Sequence, residues 1–276
     1  YQELNTHLLS SQNKLYLGKF KLDINSAFQR TELTHFGDAG VYEIQMKLAT
    51  FTYDAKLHLP SRVNSEYIIG LQGFNQTNTN LNNRETKLLP DATTSNYSAF
   101  GLLQYTFFRK LKLQTGIRYD YKTIATKGIG VATDSMTYRA PLDKSYGSFS
   151  GSLGATYKVT EELLFRANIA AAYRTPNIAE LTSNGPHELR FEIGDRNLDP
   201  ENSYETDVSL HYHKDNFIVD VAGFYNIVNS YIFISPTGSL TSSSGAIYGG
   251  QYYSSSASVN PSDVISGILT KKGFIR

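Results

Sequence analysis

The chain has 276 residues, a formal net charge of +1, 20 Tyr, 15 Phe, no Trp and no Cys. That length accommodates one large all-β domain or two smaller ones, the near-neutral charge gives no electrostatic footprint for nucleic acid, and the missing cysteines exclude disulfides and Cys-ligated metal. No apolar run approaches the roughly 20 residues of a spanning helix, and no basic start with an apolar stretch follows Tyr1, so the sequence reads as a mature chain or a piece of a longer one.

In chain order, LYLGKFKLDINSAFQR predicts one strand with Tyr16, Phe20, Leu22, Ile24 and Phe28 on one face and Lys19, Lys21, Asp23, Asn25 and Gln29 on the other. The alternation returns in LKLQTGIRYDY, where Leu111, Leu113, Ile117, Tyr119 and Tyr121 oppose Lys112, Gln114, Arg118 and Asp120. It returns again in YETDVSLHYH, where Tyr204, Val208, Leu210 and Tyr212 oppose Glu205, Asp207, His211 and His213. The only helical pattern is a single turn over PNIAEL after Arg174.

The connections alternate in length. FFRKLKL, YKVTEELL and YHKDNFIV are tight polar turns, HLPSRVNS is short and TELTHFGDAG intermediate, whereas Thr79–Asn96, Lys122–Ser145 and Arg174–Ser203 are long and rich in Gly, Pro, Asn and Thr. This predicts an all-β, antiparallel up-and-down meander of about nine strands, with tight turns at one end and long loops at the other, the habit of a transmembrane β-barrel. A soluble β-sandwich also alternates, but several strands here exceed the usual five to six residues and reach the roughly 9 to 11 that cross a bilayer.

At Tyr173 the sequence reads YRTPNIAEL, then NGPHELRFEIGDRNLDPENSYETDVSLHY, then FIVDVAGFYNIVNSYIF. This series resembles a strand, extracellular loop and strand of TonB-dependent outer-membrane receptors. RTP…EL and GDRNLDPE are similar to that family's Arg-Ala-Pro and Asn-Pro-x-Leu-x-Pro-Glu boxes, and LATFTYDAKLHLP, EYIIGLQGFNQTN, LLPD and LQTGIRYDY resemble consecutive barrel segments upstream. The resemblance covers roughly Leu15 to Pro236. It implies part of a larger barrel of about 22 strands, with residues 1–236 as partial barrel, 237–276 as a Ser/Gly-rich loop and poorly matching end, and the family's N-terminal plug absent.

The resemblance also implies a role for the long insertion, as an extracellular loop of the substrate vestibule. Arg174, Pro176, Leu198, Pro200 and Glu201 are then architectural, marking where chain leaves and re-enters the barrel; Pro176 and Pro200, which lack an N–H to donate, sit where strand pairing ends. Arg174, Asn184, His187, Glu188 and Arg190 are the candidate ligand-binding loop residues. His187, Glu188, His211 and His213 are a candidate metal set, since His and carboxylate suit a borderline cation such as Zn.

The implied function is active import of a scarce solute in the outer membrane of a Gram-negative bacterium. The implied partners are the TonB complex, reached through the plug, outer-membrane lipid and a small-molecule iron chelate; no resident cofactor is expected. A ferric siderophore is the first expectation, because loop Tyr and Arg suit anionic aromatic chelates; haem or zinc is the alternative, and a non-transporting surface-adhesion β domain the second. An enzyme is not expected: the sequence has no phosphate loop, nucleophile elbow or His-Glu-x-x-His pattern.

Overall fold

The computed structural model describes residues 2–36, 42–81, 88–130, 132, 138–187, 190–242, 245–248, 251–253, 264–265 and 267–271, with side chains for all of these except 36, 42–43, 184–187, 190–191 and 235–271. Eight strands follow one another as β1 (Gln2–Leu17), β2 (Phe20–Phe36), β3 (Tyr42–His58), β4 (Ser65–Asn80), β5 (Ala92–Phe107), β6 (Leu111–Thr126), β7 (Leu142–Lys158) and β8 (Leu163–Arg174). An excursion then makes α1 (Ile178–Thr182) and the hairpin β9 (Asn184–His187) and β10 (Arg190–Ile193), before β11 (Glu201–Lys214) and β12 (Phe217–Asn229) rejoin the sheet. The sheet order is β1 to β8, β11, β12, with every neighbour antiparallel. Short strands β13 (Ser235–Ser242), β16 (Val264–Ile265) and β17 (Gly267–Lys271) pair with β10 and β9 in a second sheet; β14 (Gly245–Tyr248) pairs with β15 (Gln251–Tyr253).

Because direction alternates along a meander, the connections at Gly18–Lys19, 59–64, Phe108–Lys110, 159–162 and Asp215–Asn216 share one end, as the connection lengths predict, and those at 37–41, 81–91, 127–141 and 175–200 share the other. The tight turns need left-handed backbone: Gly18 takes φ +62 at no steric cost, while Arg109 (φ 58) and Asp215 (φ 51) adopt it as non-glycine residues.

Two expectations are corrected. Leu15–Arg30 is not one strand; it breaks at Gly18–Lys19, so the sheet has ten strands. The hairpin register pairs Leu17 with Phe20, Leu15 with Leu22 and Tyr16 with Lys21, which moves Tyr16 onto the face opposite Phe20. The long connections are also shorter than their composition suggests, because Thr, Asn and Ser at strand ends still complete the backbone ladder, as in Asn78↔Ala92 and Thr126↔Leu142.

The two faces differ as the alternation requires. One carries Leu22, Ile24, Phe28, Phe51, Ile117, Tyr119, Phe149, Tyr204, Leu210 and Val221, joined across strands by pairs such as Phe28↔Phe51, Tyr119↔Phe149 and Leu210↔Val221. Among the described residues no second layer covers it: Ile117, Phe149 and Val221 stay 63%, 69% and 60% exposed. The other face carries Asp54, Gln72, Ser98, Arg118, Asp120, Asp207 and His211. The buried hydrophobic cluster lies at the long-loop end instead of mid-sheet, where Ile124, Leu142, Leu181, Leu198 and Ile232 meet, with Tyr146 and Ile178 against them.

Candidate functional site

The long-loop end is built from the exit of β8 inward. Pro176, fully buried, cannot extend the ladder, and Asn177 turns the chain into α1 through a reciprocal capping box: its Oδ1 accepts from Glu180 N at 2.8 Å and its N–H donates to Glu180 Oε2 at 2.8 Å. The Arg174 guanidinium holds this turn to the sheet. It donates through Nε to Glu201 Oε2 (2.7 Å), through Nη2 to Glu201 Oε1 (2.8 Å) and through Nη1 to Glu180 Oε1 and Oε2 (2.8 and 3.0 Å). Glu201 Oε1 also accepts Ile232 N–H at 2.5 Å, so one guanidinium and its two carboxylates join β8, α1, β11 and the chain leaving β12.

The rest of the loop is fastened beside this pair. Arg196 donates to the Ala140 and Pro141 carbonyls (2.6 and 2.7 Å), tying it to the β6–β7 connection. The Tyr146 hydroxyl donates to the Leu198 carbonyl at 3.4 Å, and the Pro200 carbonyl accepts from Asn202 Nδ2 at 3.2 Å. Gly194 passes so close to α1 that a Cβ would stand 2.4 Å from Thr182 N. In the β4–β5 connection, burial alone would push the Asp91 carboxyl up, but hydrogen bonds from Asn80 and Lys127 outweigh it and hold it below the usual carboxylate range.

Glu201→Gln is expected to loosen loop 175–200 by about 1 to 2 kcal/mol, because a neutral amide replaces the charge-assisted acceptor of a bidentate pair. Amide hydrogen exchange should rise in that loop while β6 and β7 stay protected.

On the polar face, Arg118 and Asp120 form the centre of a network. Arg118 Nε and Nη2 reach the Asp120 carboxylate at 2.7 and 2.8 Å, Nη2 donates to Ser98 Oγ at 2.7 Å and Nη1 to Gln72 Oε1 at 2.7 Å. Asn96 Nδ2 donates to Asp120 at 3.0 Å, and the Ser98 hydroxyl also donates to it. Beside the network is an open depression of about 420 Å³ whose lining includes Gln12, Asn25, Asp54, Gln72, Asn96 and Arg118. Its wall mixes amide, hydroxyl and compensated charge with Ala27 and Phe74, an arrangement suited to a passage rather than to covalent chemistry.

The structure brings Arg174, Pro176, Leu198, Pro200 and Glu201 to one end of the sheet. Of the other candidate loop residues, Glu188 and the side chains of Asn184, His187 and Arg190 lie outside the described residues; the backbone puts His187 opposite Arg190 at the tip of the β9–β10 hairpin. Of the candidate metal residues, His211 and His213 stand away from the long-loop end. His211 lies ten residues along β11 from Glu201, roughly 33 Å toward the tight turns, where Asp220 Oδ1 (2.6 Å) and Ser209 Oγ (2.9 Å) engage its two ring nitrogens. His213 is two residues further on. Among the described residues no three metal-binding side chains converge.

Sequence reasoning did not find the Arg118 network or the apolar cluster under the loop. The two-residue spacing of Arg118 and Asp120 does signal a shared face, but Gln72, Asn96 and Ser98 join them only through strand register.

The family model for the TonB-dependent receptor-like β-barrel matches residues 2–268. Among solved structures, a double mutant of the Serratia marcescens hemophore receptor HasR in complex with its hemophore HasA and heme matches with a TM-score of 0.65 and 17% identity, over 86% of this chain and 41% of that one. The ferric-catecholate import receptor Fiu from E. coli K12 matches with 0.63 and 12%, over 92% and 43%. The copper transporter OprC matches with 0.62 and 15%, over 87% and 41%. The chain therefore spans about two fifths of the length of these structures. No curated protein sequence matches it.

Proposed function

The chain belongs to the TonB-dependent receptor β-barrel family, a family of transporters and not of enzymes, and from that premise we propose that it is part of the wall of an outer-membrane importer that takes up a ferric siderophore with energy passed by TonB. The observation that carries this reading is the two-faced meander: from β2 to β11 one face is apolar at mid-strand and uncovered among the described residues, and the other is rich in amide, hydroxyl and paired charge. In a closed barrel the first face meets lipid and the second lines the passage. A soluble adhesion sandwich would instead cover its apolar face with a second sheet.

The long loops then face outside and form the vestibule, with Arg174 and Glu201 fixing the base of loop 175–200 and the β9–β10 hairpin presented above it. Solutes named for structurally similar proteins include heme, a ferric catecholate and copper; a chelate of ferric iron suits the polar wall and the loop's Arg and Tyr content. The position of His187 at the hairpin tip supports haem or zinc as the second reading.

One experiment separates the two. The full receptor carrying this chain is expressed, and binding and uptake of a ferric siderophore, haem and Zn are compared for wild type and His187→Ala. The siderophore reading expects affinity for the iron chelate nearly unchanged by the substitution and uptake lost in a strain without TonB. A large loss of haem or zinc binding marks a coordination bond from His187 and favours the second reading. Uptake that persists without TonB contradicts both.

A further inference from the structure

Cations on the polar face differ in their partners. Lys21, Lys56 and Arg118 each rest against a carboxylate, at 3.0 Å to Asp23, 3.1 Å to Asp54 and 2.7 Å to Asp120, and Lys158 contacts Glu161. Lys112 on β6 and Arg166 on β8 make no ion pair or side-chain hydrogen bond among the described residues. Strand register sets them in one row: Thr106 opposite Lys112, Lys112 opposite Thr156, and Thr156 opposite Arg166. With strands about 4.8 Å apart, the two cations project from backbone positions roughly 10 Å apart with the Thr156 hydroxyl between them.

The surrounding groups are already engaged. Toward the loops, Gln114 Nε2 donates to Gln104 Oε1 at 3.0 Å and Asn168 Nδ2 to Asp207 Oδ2 at 3.0 Å. Toward the tight turns, His211 is held by Asp220 and Ser209. The carboxylates around it, Asp207, Asp220, Glu161 and Glu162, have other partners, and the row offers two positive charges and two hydroxyls without an anion among the described residues.

We propose that Lys112 and Arg166, flanking Thr156, form a carboxylate-binding row on the inner wall near the tight-turn end. The guanidinium fork matches a carboxylate in two parallel hydrogen bonds, the ammonium adds a point charge and the Thr156 hydroxyl a further donor. The carboxylate has two sources, a solute crossing the barrel or a side chain from another segment of the same receptor. The inference rests on the reading of this face as the passage wall.

The test uses the purified full receptor with citrate as probe, comparing wild type, Lys112→Gln, Arg166→Gln, the double variant and Arg166→Lys. Citrate affinity, the thermal midpoint, and uptake of a carboxylate-bearing and a neutral ferric chelate are measured. A solute site predicts citrate binding roughly tenfold weaker in the double variant, uptake of the carboxylate chelate reduced with the neutral one unchanged, and an intermediate affinity for Arg166→Lys, which keeps the charge but not the fork. An internal carboxylate predicts no citrate binding to wild type and a lowered midpoint in the double variant. Unchanged citrate affinity, uptake ratio and midpoint in the double variant overturn the row. A wild-type receptor that imports neither chelate counts against the transport reading, while the citrate and midpoint measurements still decide on the row.

Discussion

Leu181→Ala is expected to release the loop between β8 and β11 from the sheet at a cost of about 2 to 5 kcal/mol of docking free energy. Leu181 is fully buried on the single turn of α1, against Ile124 of β6, Leu142 of β7, Leu198 of the returning chain and Ile232 after β12. Each neighbour belongs to a different segment, so no one of them can move to fill the hole without leaving its own contacts. The capping box and the Arg174 ion pair orient the turn, but they are partly solvated and replace little of the lost apolar contact. Limited proteolysis within residues 175–200 should become much faster, while the thermal midpoint of the barrel moves little because the ten-strand ladder is untouched. A barrel midpoint that collapses together with loop protection would show that the loop and the sheet fold as one unit.

Ile117→Arg is expected to destabilise the membrane-inserted receptor by roughly 2 to 4 kcal/mol, the range for a charge on the lipid face near the bilayer midplane. Ile117 lies near the middle of β6, opposite Gly101 on one side and Gly151 on the other, so a long charged side chain there has no side-chain partner directly across on its own face. Arg118, one residue on, faces the opposite side and has Asp120, Ser98 and Gln72 as partners. Gln114→Arg, on the polar face, should therefore fold in lipid with far less penalty. Equal losses for the two substitutions in a urea-refolding comparison would mean that the two faces meet the same surroundings.

The meander was legible because β6 and β11 alternate cleanly, and because the turn around Arg109 and the connection after Arg174 differ so much in length. β1 was not legible. Its sequence places Leu8 beside Leu9 and Ser10 beside Ser11, and the apolar period runs unbroken through Gly18–Lys19 even though the hairpin reverses which parity faces which side. Strand ends are hidden where Thr94 and Thr126 look like loop residues but still complete the ladder.

The site was legible one residue at a time and not as an arrangement. Arg174 and Glu201 stand 27 positions apart, and their bidentate pairing follows from the β8–β11 register, which no local pattern encodes. The separation of His211 from the loop has the same cause: it is near the loop in sequence, but the extended strand carries it to the other end of the sheet. Lys112 and Arg166 are joined only through Thr156 on the strand between them.

The central claim, that this sheet is a barrel wall with one face to lipid and one to the passage, is tested most directly by accessibility along β6 and β11 in the full receptor in native membranes. This chain contributes no native Cys, and in a receptor otherwise free of Cys spin labels are placed singly at Leu113, Gln114, Ile117, Arg118, Tyr119, Asp207, Val208, Leu210 and His211. Collisions with oxygen, which partitions into lipid, should be strong at Leu113, Ile117, Tyr119, Val208 and Leu210, whereas a water-soluble nickel chelate should prevail at Gln114, Arg118, Asp207 and His211, in a period of two. Equal oxygen accessibility at both sets, with no alternation along either strand, would contradict the account.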